Sequence, residues 1–289
     1  MSYRLILILT SLIWGIAFVA QRVSTETIGP YGFNAVRFLL GAISLLPVMY
    51  AFPGSAPKKA SSLTIVTVCI ITGSVLFIGA TTQQIGLIYT TAGKASFITA
   101  LYIVLVPLLG LFIGYSLRLS HIIGCLTALV GLYLITFTDG LSINMGDLLV
   151  FSGTIFWASH ILLLSYFVQS HKAIQIAFGQ FVVCSLWSWA GTFLFETISW
   201  QIILNTLWPI LYGGILSTGV AYTLQIIGQK VVPPTEASLL LSLEMFFGAL
   251  SGYFLLGESM AYREIIGCLL LACGVMAAQI PSPIIWQRK

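Results

Sequence analysis

Two ionisable side chains stand inside otherwise hydrocarbon-like sequence: Arg37, after Asn34-Ala35-Val36, and Glu244, within Leu241-Ser242-Leu243-Glu244-Met245. An arginine in such a run anchors a carboxylate or phosphate, or is satisfied by backbone carbonyls, or reaches outward along its stem. Asn34 is one helical turn before it. A glutamate in such a run carries protons or binds an amine, or else is a structural acid, permanently protonated or paired with an arginine. Gly248, Ser251 and Gly252 share its helical face, small residues that permit close helix approach or leave a cavity. Trp14, Tyr102, Trp157 and Tyr222 offer rings with a hydrogen-bonding tip, suited to stacking on a solute or to plain packing. Gln83, Gln84, Gln180 and Gln225 offer amides that must find partners. His160, three residues after Trp157, can relay protons or sit neutral in a hydrogen bond.

The elements that position these groups are set by composition. Of 289 residues, 58% are hydrophobic and 7% charged, and the mean hydropathy is +1.04. Soluble proteins carry about 25% charged residues, so this chain lacks the polar surface to stay dispersed. Apolar runs recur roughly at 4–23, 31–51, 64–85, 94–114, 119–137, 147–168, 174–195, 206–227, 235–256 and 263–281. Each suffices to cross about 30 Å of hydrocarbon as a helix. They lack the alternation of a membrane barrel. The expectation is an all-α membrane protein with ten transmembrane helices and the lipid bilayer as its solvent. Arg37 then lies roughly 9 Å, and Glu244 about 13 Å, below a membrane boundary at ~1.5 Å per residue. Pro107 frees a carbonyl in the fourth run and is a natural kink.

Other classes find little support. A net charge of +4 is small and gives no sign of nucleic-acid binding. The five cysteines (Cys69, Cys125, Cys184, Cys268, Cys273) lie in apolar runs without a C-x-x-C pair, and read as small buried hydrophobes. No metal and no cofactor is expected. Residues 1–20 read as a retained first span and not a cleaved signal, since Trp14-Gly15 interrupts the run and no small-x-small site follows. Connections are short, and neither G-x-S-x-G nor H-E-x-x-H occurs, so the chain does not read as an enzyme. Asp147, after Asn144 and Gly146, reads as an N-terminal cap, and Glu236 as a capping and interface residue.

Charge and repetition set the organisation. With the N-terminus inside, eight basic residues (Arg4, Lys58, Lys59, Arg118, Lys172, Lys230, Arg288, Lys289) fall on the cytoplasmic side and three (Arg22, Lys94, Arg263) outside. This implies a multi-pass protein of the cytoplasmic (plasma) membrane with both termini in the cytoplasm. An offset of 142 to 143 residues brings Trp14 onto Trp157, Arg37 onto Gln180, Gln83 onto Gln225, Lys94 onto Glu236, Tyr102 onto Glu244, and Gly124-Cys125-Leu126 onto Gly267-Cys268-Leu269. Residues 1–141 and 142–289 thus read as two five-helix repeats. Five being odd, the second half inserts upside down, and a site is expected at mid-membrane between the halves. Lys94 and Glu236 would then lie at opposite faces and cannot pair with each other.

Trp14-Gly15 with Phe18-Val19, Pro30, Arg37-Phe38, Glu236-Ala237-Ser238, the Glu244-to-Leu256 run, Gly257-Glu258, Gly267 and Gly274 resemble the EamA-type ten-helix carriers of the drug/metabolite transporter (DMT) superfamily. The resemblance spans nearly the whole chain and implies a gradient-driven carrier or exporter of small metabolites, often amino acids. Two departures stand out. Gln180 replaces a second basic residue, and the first span has no acid of the kind used by small multidrug-resistance members. The expected function is therefore a secondary transporter working by alternating access. Its substrate-binding candidates are Trp14, Arg37, Gln83, Tyr102, Trp157, His160, Tyr222, Gln225 and Glu244. One basic and one acidic contact suit a zwitterion such as an amino acid; the alternatives are larger amphipathic solutes (nucleoside-type metabolites or drugs) and a pore or scaffold. Proton coupling through Glu244 is left open. The small-residue faces at Gly124, Ala128, Gly131 and at Gly267, Gly274 permit a homodimer and serve internal packing equally well.

Overall fold

Away from water, backbone N–H and C=O groups must be satisfied within the segment, and each apolar stretch accordingly coils into helix. The structure, a computed structural model, describes residues 2–51, 62–136, 143–256 and 261–286. Lys58, Lys59, Arg288 and Lys289, used above for orientation, and the Gly257-Glu258 turn lie outside these residues. The first half holds α1 (Tyr3–Ser24), α2 (Pro30–Ala51), α3 (Ile65–Tyr89), α4 (Ala92–Ala100), α5 (Tyr102–Phe112) and α6 (Leu119–Thr136). The second holds α7 (Met145–Phe167), α8 (Ala173–Phe195), α9 (Trp200–Asn205), α10 (Leu207–Leu211), a π-helical stretch Tyr212–Tyr222, α11 (Thr223–Gln229), α12 (Pro234–Leu241), α13 (Leu243–Leu256) and α14 (Tyr262–Ala278). A two-stranded antiparallel ladder joins β1 (Leu117–Arg118) to β2 (Ile284–Trp286). Among the described residues seven helices are long and apolar enough to cross a membrane, and Leu119–Ile135 is a shorter apolar helix. The protein is an all-α, multi-pass membrane protein.

Local chemistry sets the helix starts. Thr64, Thr91 and Ser199 accept from the backbone N–H three residues on, as N-caps do. At α7 the cap is Asn144, and Asp147 is the partner that returns the bond to Asn144 N, so the expected cap is one member of a reciprocal box. Two long stretches are each interrupted by a single tightened turn, at Leu101 between α4 and α5 and at Ser242 between α12 and α13. The interruption in the fourth stretch thus falls at Leu101, not at Pro107. Pro107 lies inside α5, and the Ile103 carbonyl it leaves unbonded accepts from Cys125 Sγ at 3.3 Å. Cys125 is therefore a donor as well as a small apolar group. Cys69, Cys184 and Cys268 are buried, whereas Cys273 is exposed on the outside of the bundle, contrary to expectation.

Glycine faces let the helices close on one another. α6 and α14 cross antiparallel: a Cβ on Gly124 would lie 2.7 Å from Gly274 O, and one on Gly267 2.7 Å from Gly131 O. The two glycine faces thus pack against each other inside the molecule. α1 meets α13 the same way, with Gly15 against the Glu244 carbonyl and Gly248 N. The start of α2 is held from the second half, where Glu196, just past α8, accepts from Tyr31 N and Gly32 N at 2.9 and 2.7 Å. Two large apolar cores result, beside two smaller clusters. One gathers α5, α6, α7, α12 and α14, the other α2, α3, α7 and α8, and Trp14 and Trp157 pack against both.

Three stability outcomes follow, each read by thermal unfolding in detergent. Gly274→Val drives a side chain into the α6 backbone and is expected to cost about 1–3 kcal/mol or more. Gly110→Ala, whose Cβ would meet nothing nearer than 3.5 Å, leaves stability unchanged. Glu196→Ala removes two charge-assisted bonds at the α2 N-terminus and should cost about 1–2 kcal/mol.

Candidate functional site

Between the two cores lies a pocket lined by Trp14, Phe18 and Gln21 of α1, Arg37 of α2, Gln83 of α3, Thr99 and Tyr102 around the Leu101 break, and Trp157 and Ile161 of α7. Ser217 and Tyr222 of the π-helical stretch, Gln225 of α11, Leu241 and Glu244 complete it. Eight of the nine sequence-predicted residues meet here. The ninth, His160, is fully buried behind the wall, with its ring 6.2 Å from Trp157 and 6.3 Å from Tyr222, and its Nε2 is 2.9 Å from Gln180 Oε1.

The two charges are held apart and differently. Glu244 is 4% exposed and sits in the first turn of α13. The Tyr102 hydroxyl donates to its Oε1 at 3.1 Å, so the carboxylate that the sequence left without a partner has one. These two residues are also the pair brought together by the internal offset, 142 apart. Arg37, 2% exposed, donates through Nε to Asn34 Oδ1 at 2.9 Å, and Asn34 in turn reaches Thr81 at 3.4 Å. Its guanidinium lies between the Phe33 and Phe38 rings, 5.1 and 4.8 Å from their centroids, a cation–π clasp that fixes it without neutralising it. Among the described residues neither Arg37 nor Glu244 is in an ion pair, and the terminal guanidinium nitrogens make no hydrogen bond. Such groups are free to take ligand partners of opposite charge.

Aromatic rings and amides shape the rest. Tyr222 packs edge-on to Trp14 at 4.7 Å and stacks on Trp157 at 6.1 Å. Trp14 Nε1 donates to Ser217 O at 3.2 Å, and Trp157 Nε1 to Gln83 Oε1 at 2.7 Å. Gln83 Nε2 reaches Gln21 Oε1 at 3.5 Å, while buried Gln225 Oε1 has no hydrogen-bond partner among the described residues. The space enclosed is small, about 50 Å³, room for a few waters but not for a metabolite.

Helical spacing would have found most of the lining residues that sequence reading missed. Phe18 and Gln21 lie four and seven residues after Trp14, Ile161 four after Trp157, Leu241 three before Glu244, and Thr99 three before Tyr102. Ser217 is the exception. The i→i+5 winding of the π-helical stretch, marked by Thr218 Oγ1 bonding to Gly213 O, brings it beneath Tyr222. Gly213-Gly214 and Gly219 are its only sequence signal.

Fold and pocket together define a polytopic helical membrane protein with a charged, aromatic-walled centre. The chain belongs to the EamA-like transporter family, whose profile matches residues 1–137 and 144–278, and through it to the DMT superfamily. It is 28% identical over 275 residues to an uncharacterized transporter of Archaeoglobus fulgidus, covering 95% of this chain and 84% of that one. The uncharacterized transporter YoaV of Bacillus subtilis is 22% identical over 275 residues, covering 93% and 94%. A protein of known crystal structure shares the fold with a TM-score of 0.81 at 19% identity, over 96% of each chain.

Asn34 is expected to matter chiefly through Arg37, its contact with Thr81 being the longer of the two. Asn34→Leu should cost about 1–3 kcal/mol by orphaning Nε. The double substitution with Arg37→Met should cost less than the sum, by a coupling of about 0.5–3 kcal/mol. Thermal unfolding of the three variants measures it.

Proposed function

We propose that the chain crosses the membrane ten times as two inverted five-helix halves, 1–141 and 142–289, with both termini cytoplasmic. It works as a secondary carrier, in the export direction, of small zwitterionic metabolites such as amino acids. The observation that carries the substrate class is the pocket itself. Arg37 from the first half and Glu244 from the second both line it, and neither is spent on the other. A carboxylate and an amine on one solute would satisfy both, and burial would strengthen each contact.

Several features support the two-fold plan. The family profile matches each half separately. The helix breaks fall at equivalent points, and the equivalent residues Tyr102 and Glu244 touch, as residues beside a two-fold axis would. α6 and α14, equivalent in the two halves, pack on each other through equivalent glycines. The size of the pocket supports alternating access, because halves closed on a few waters would have to part to admit a metabolite. The three-ring wall of Trp14, Trp157 and Tyr222 favours a second reading, a larger amphipathic solute, within the same mechanism.

Proteoliposomes loaded with a mixed metabolite pool test this, with mass spectrometry reading what leaves only when the protein is present. Selective loss of amino acids is expected. Arg37→Gln and Glu244→Gln, folded by thermal unfolding, should each lower that loss at least tenfold, on the order of the 2–5 kcal/mol that breaking a buried charge contact costs. Loss of every small solute would instead mean a pore. In the same vesicles, a rate that ignores an imposed pH gradient removes Glu244 as a proton carrier.

A further inference from the structure

Four charged residues outside the pocket form two ion pairs. Arg4 Nη2 stands 2.9 Å from Glu236 Oε2, and Lys94 Nζ 3.5 Å from Asp147 Oδ2. The first joins the start of α1 to the start of α12, the second the start of α4 to the start of α7. Both therefore cross from the first half of the chain to the second. They also occupy opposite ends of the bundle. Gln84, near the end of α3, donates to Gln21 O and Ser24 Oγ near the end of α1. Lys94 follows Gln84 closely, whereas Arg4 lies at the other end of α1, roughly 30 Å away at ~1.5 Å per residue.

The internal offset relates the pairs as well. Arg4 falls on Asp147 and Lys94 on Glu236, 143 and 142 residues apart. One pair is the image of the other with both charges exchanged: base on α1 and acid on α12, acid on α7 and base on α4. Reversing one member alone would have set like charges against each other at one end. What the two halves share at these positions is thus attraction across the seam, while the sign of each charge is not kept.

We propose that these pairs are the two gates of the carrier, one at each membrane face, made and broken in alternation as the halves rock. The inference rests on the two-half carrier reading above. Both pairs are made in this structure, in keeping with its small central cavity. They are unequal. The Arg4 and Glu236 side chains are 52% and 16% exposed, those of Lys94 and Asp147 only 18% and 7%. Asp147 is further held by the Thr90 hydroxyl and by Asn144 N. Water and salt screen the Arg4 pair more strongly, so the Arg4 end is the one that opens more readily at rest.

Spin-label distances in nanodiscs test the gates. One reporter pair spans the halves at the Arg4 end (Tyr50→Cys with Val231→Cys) and one at the Lys94 end (Val23→Cys with Met145→Cys), all four positions being exposed. The background is Cys273→Ser, since the other cysteines are buried. Arg4→Gln should raise the long-distance population at its own end by up to roughly fivefold, the ceiling for an exposed pair, and lower it at the far end. Lys94→Gln should do the reverse. The charge-exchanged double variant R4E/E236R should restore the wild-type distributions, and it guards against a single variant that merely misfolds. Populations that anticorrelate between the ends in the wild type but ignore all three variants would overturn the gates and leave the rocking carrier standing. Loosening at one end with no response at the other would make the pairs plain staples. One fixed distance at each end in every variant, with or without the transported pool, would remove the rocking halves and the gates together.

Discussion

A carboxylate among apolar helices must find donors within the protein or from trapped water, and the centre of this molecule is arranged around that need. Glu244 follows the break at Ser242, in the first turn of α13, where helix N–H groups favour negative charge. The Tyr102 hydroxyl approaches it from the matching break on the other side. Gly15 and Gly248 let α1 close against α13 directly beside it. Take the carboxylate away and Tyr102 loses its acceptor, and the seam between the two cores loses the contact at its middle.

On the proposed two-half plan, the site is asymmetric where the scaffold would be symmetric. Arg37 and Gln180 are equivalent by the internal offset, yet Gln180 is turned to His160 and away from the pocket, while Arg37 is clasped by two phenylalanines and lines it. Glu244 is opposed by its own equivalent, Tyr102. Each half therefore contributes one charge. On the proposed reading a zwitterion bridges the halves, so its binding energy differs between open and closed arrangements. That difference is the condition for a ligand to drive a conformational change.

Much of this was legible in the sequence, for physical reasons. Hydrocarbon admits few backbone solutions, so apolar runs translate almost directly into helices, and polar residues in their interiors must turn inward, which gathered eight predicted residues in one pocket. What stayed hidden depends on geometry that no residue type announces. The π-helical winding that presents Ser217 comes from a glycine-bearing stretch indistinguishable from ordinary helix. Glu196 drew no notice in the sequence, and its role shows only where the α8 end lies over the α2 start. Pro107 advertised a kink that Cys125 helps to absorb, and the breaks fell instead at Leu101 and Ser242, where nothing but the repeat itself gives a cue. His160 shares a helix with the pocket residues Trp157 and Ile161 but faces Gln180 behind the wall, a difference of side-chain direction that residue type does not announce.

The central claim is that Arg37 and Glu244 hold opposite ends of one solute. Calorimetric titration of the purified protein with the amino acid that leaves the proteoliposomes, its methyl ester and its N-acetyl derivative tests it most directly. The account predicts that both derivatives bind at least tenfold more weakly, that the ester loses little more in Arg37→Gln, and that the N-acetyl form loses little more in Glu244→Gln. Equal affinity for all three ligands would contradict it and leave both charges to the fold.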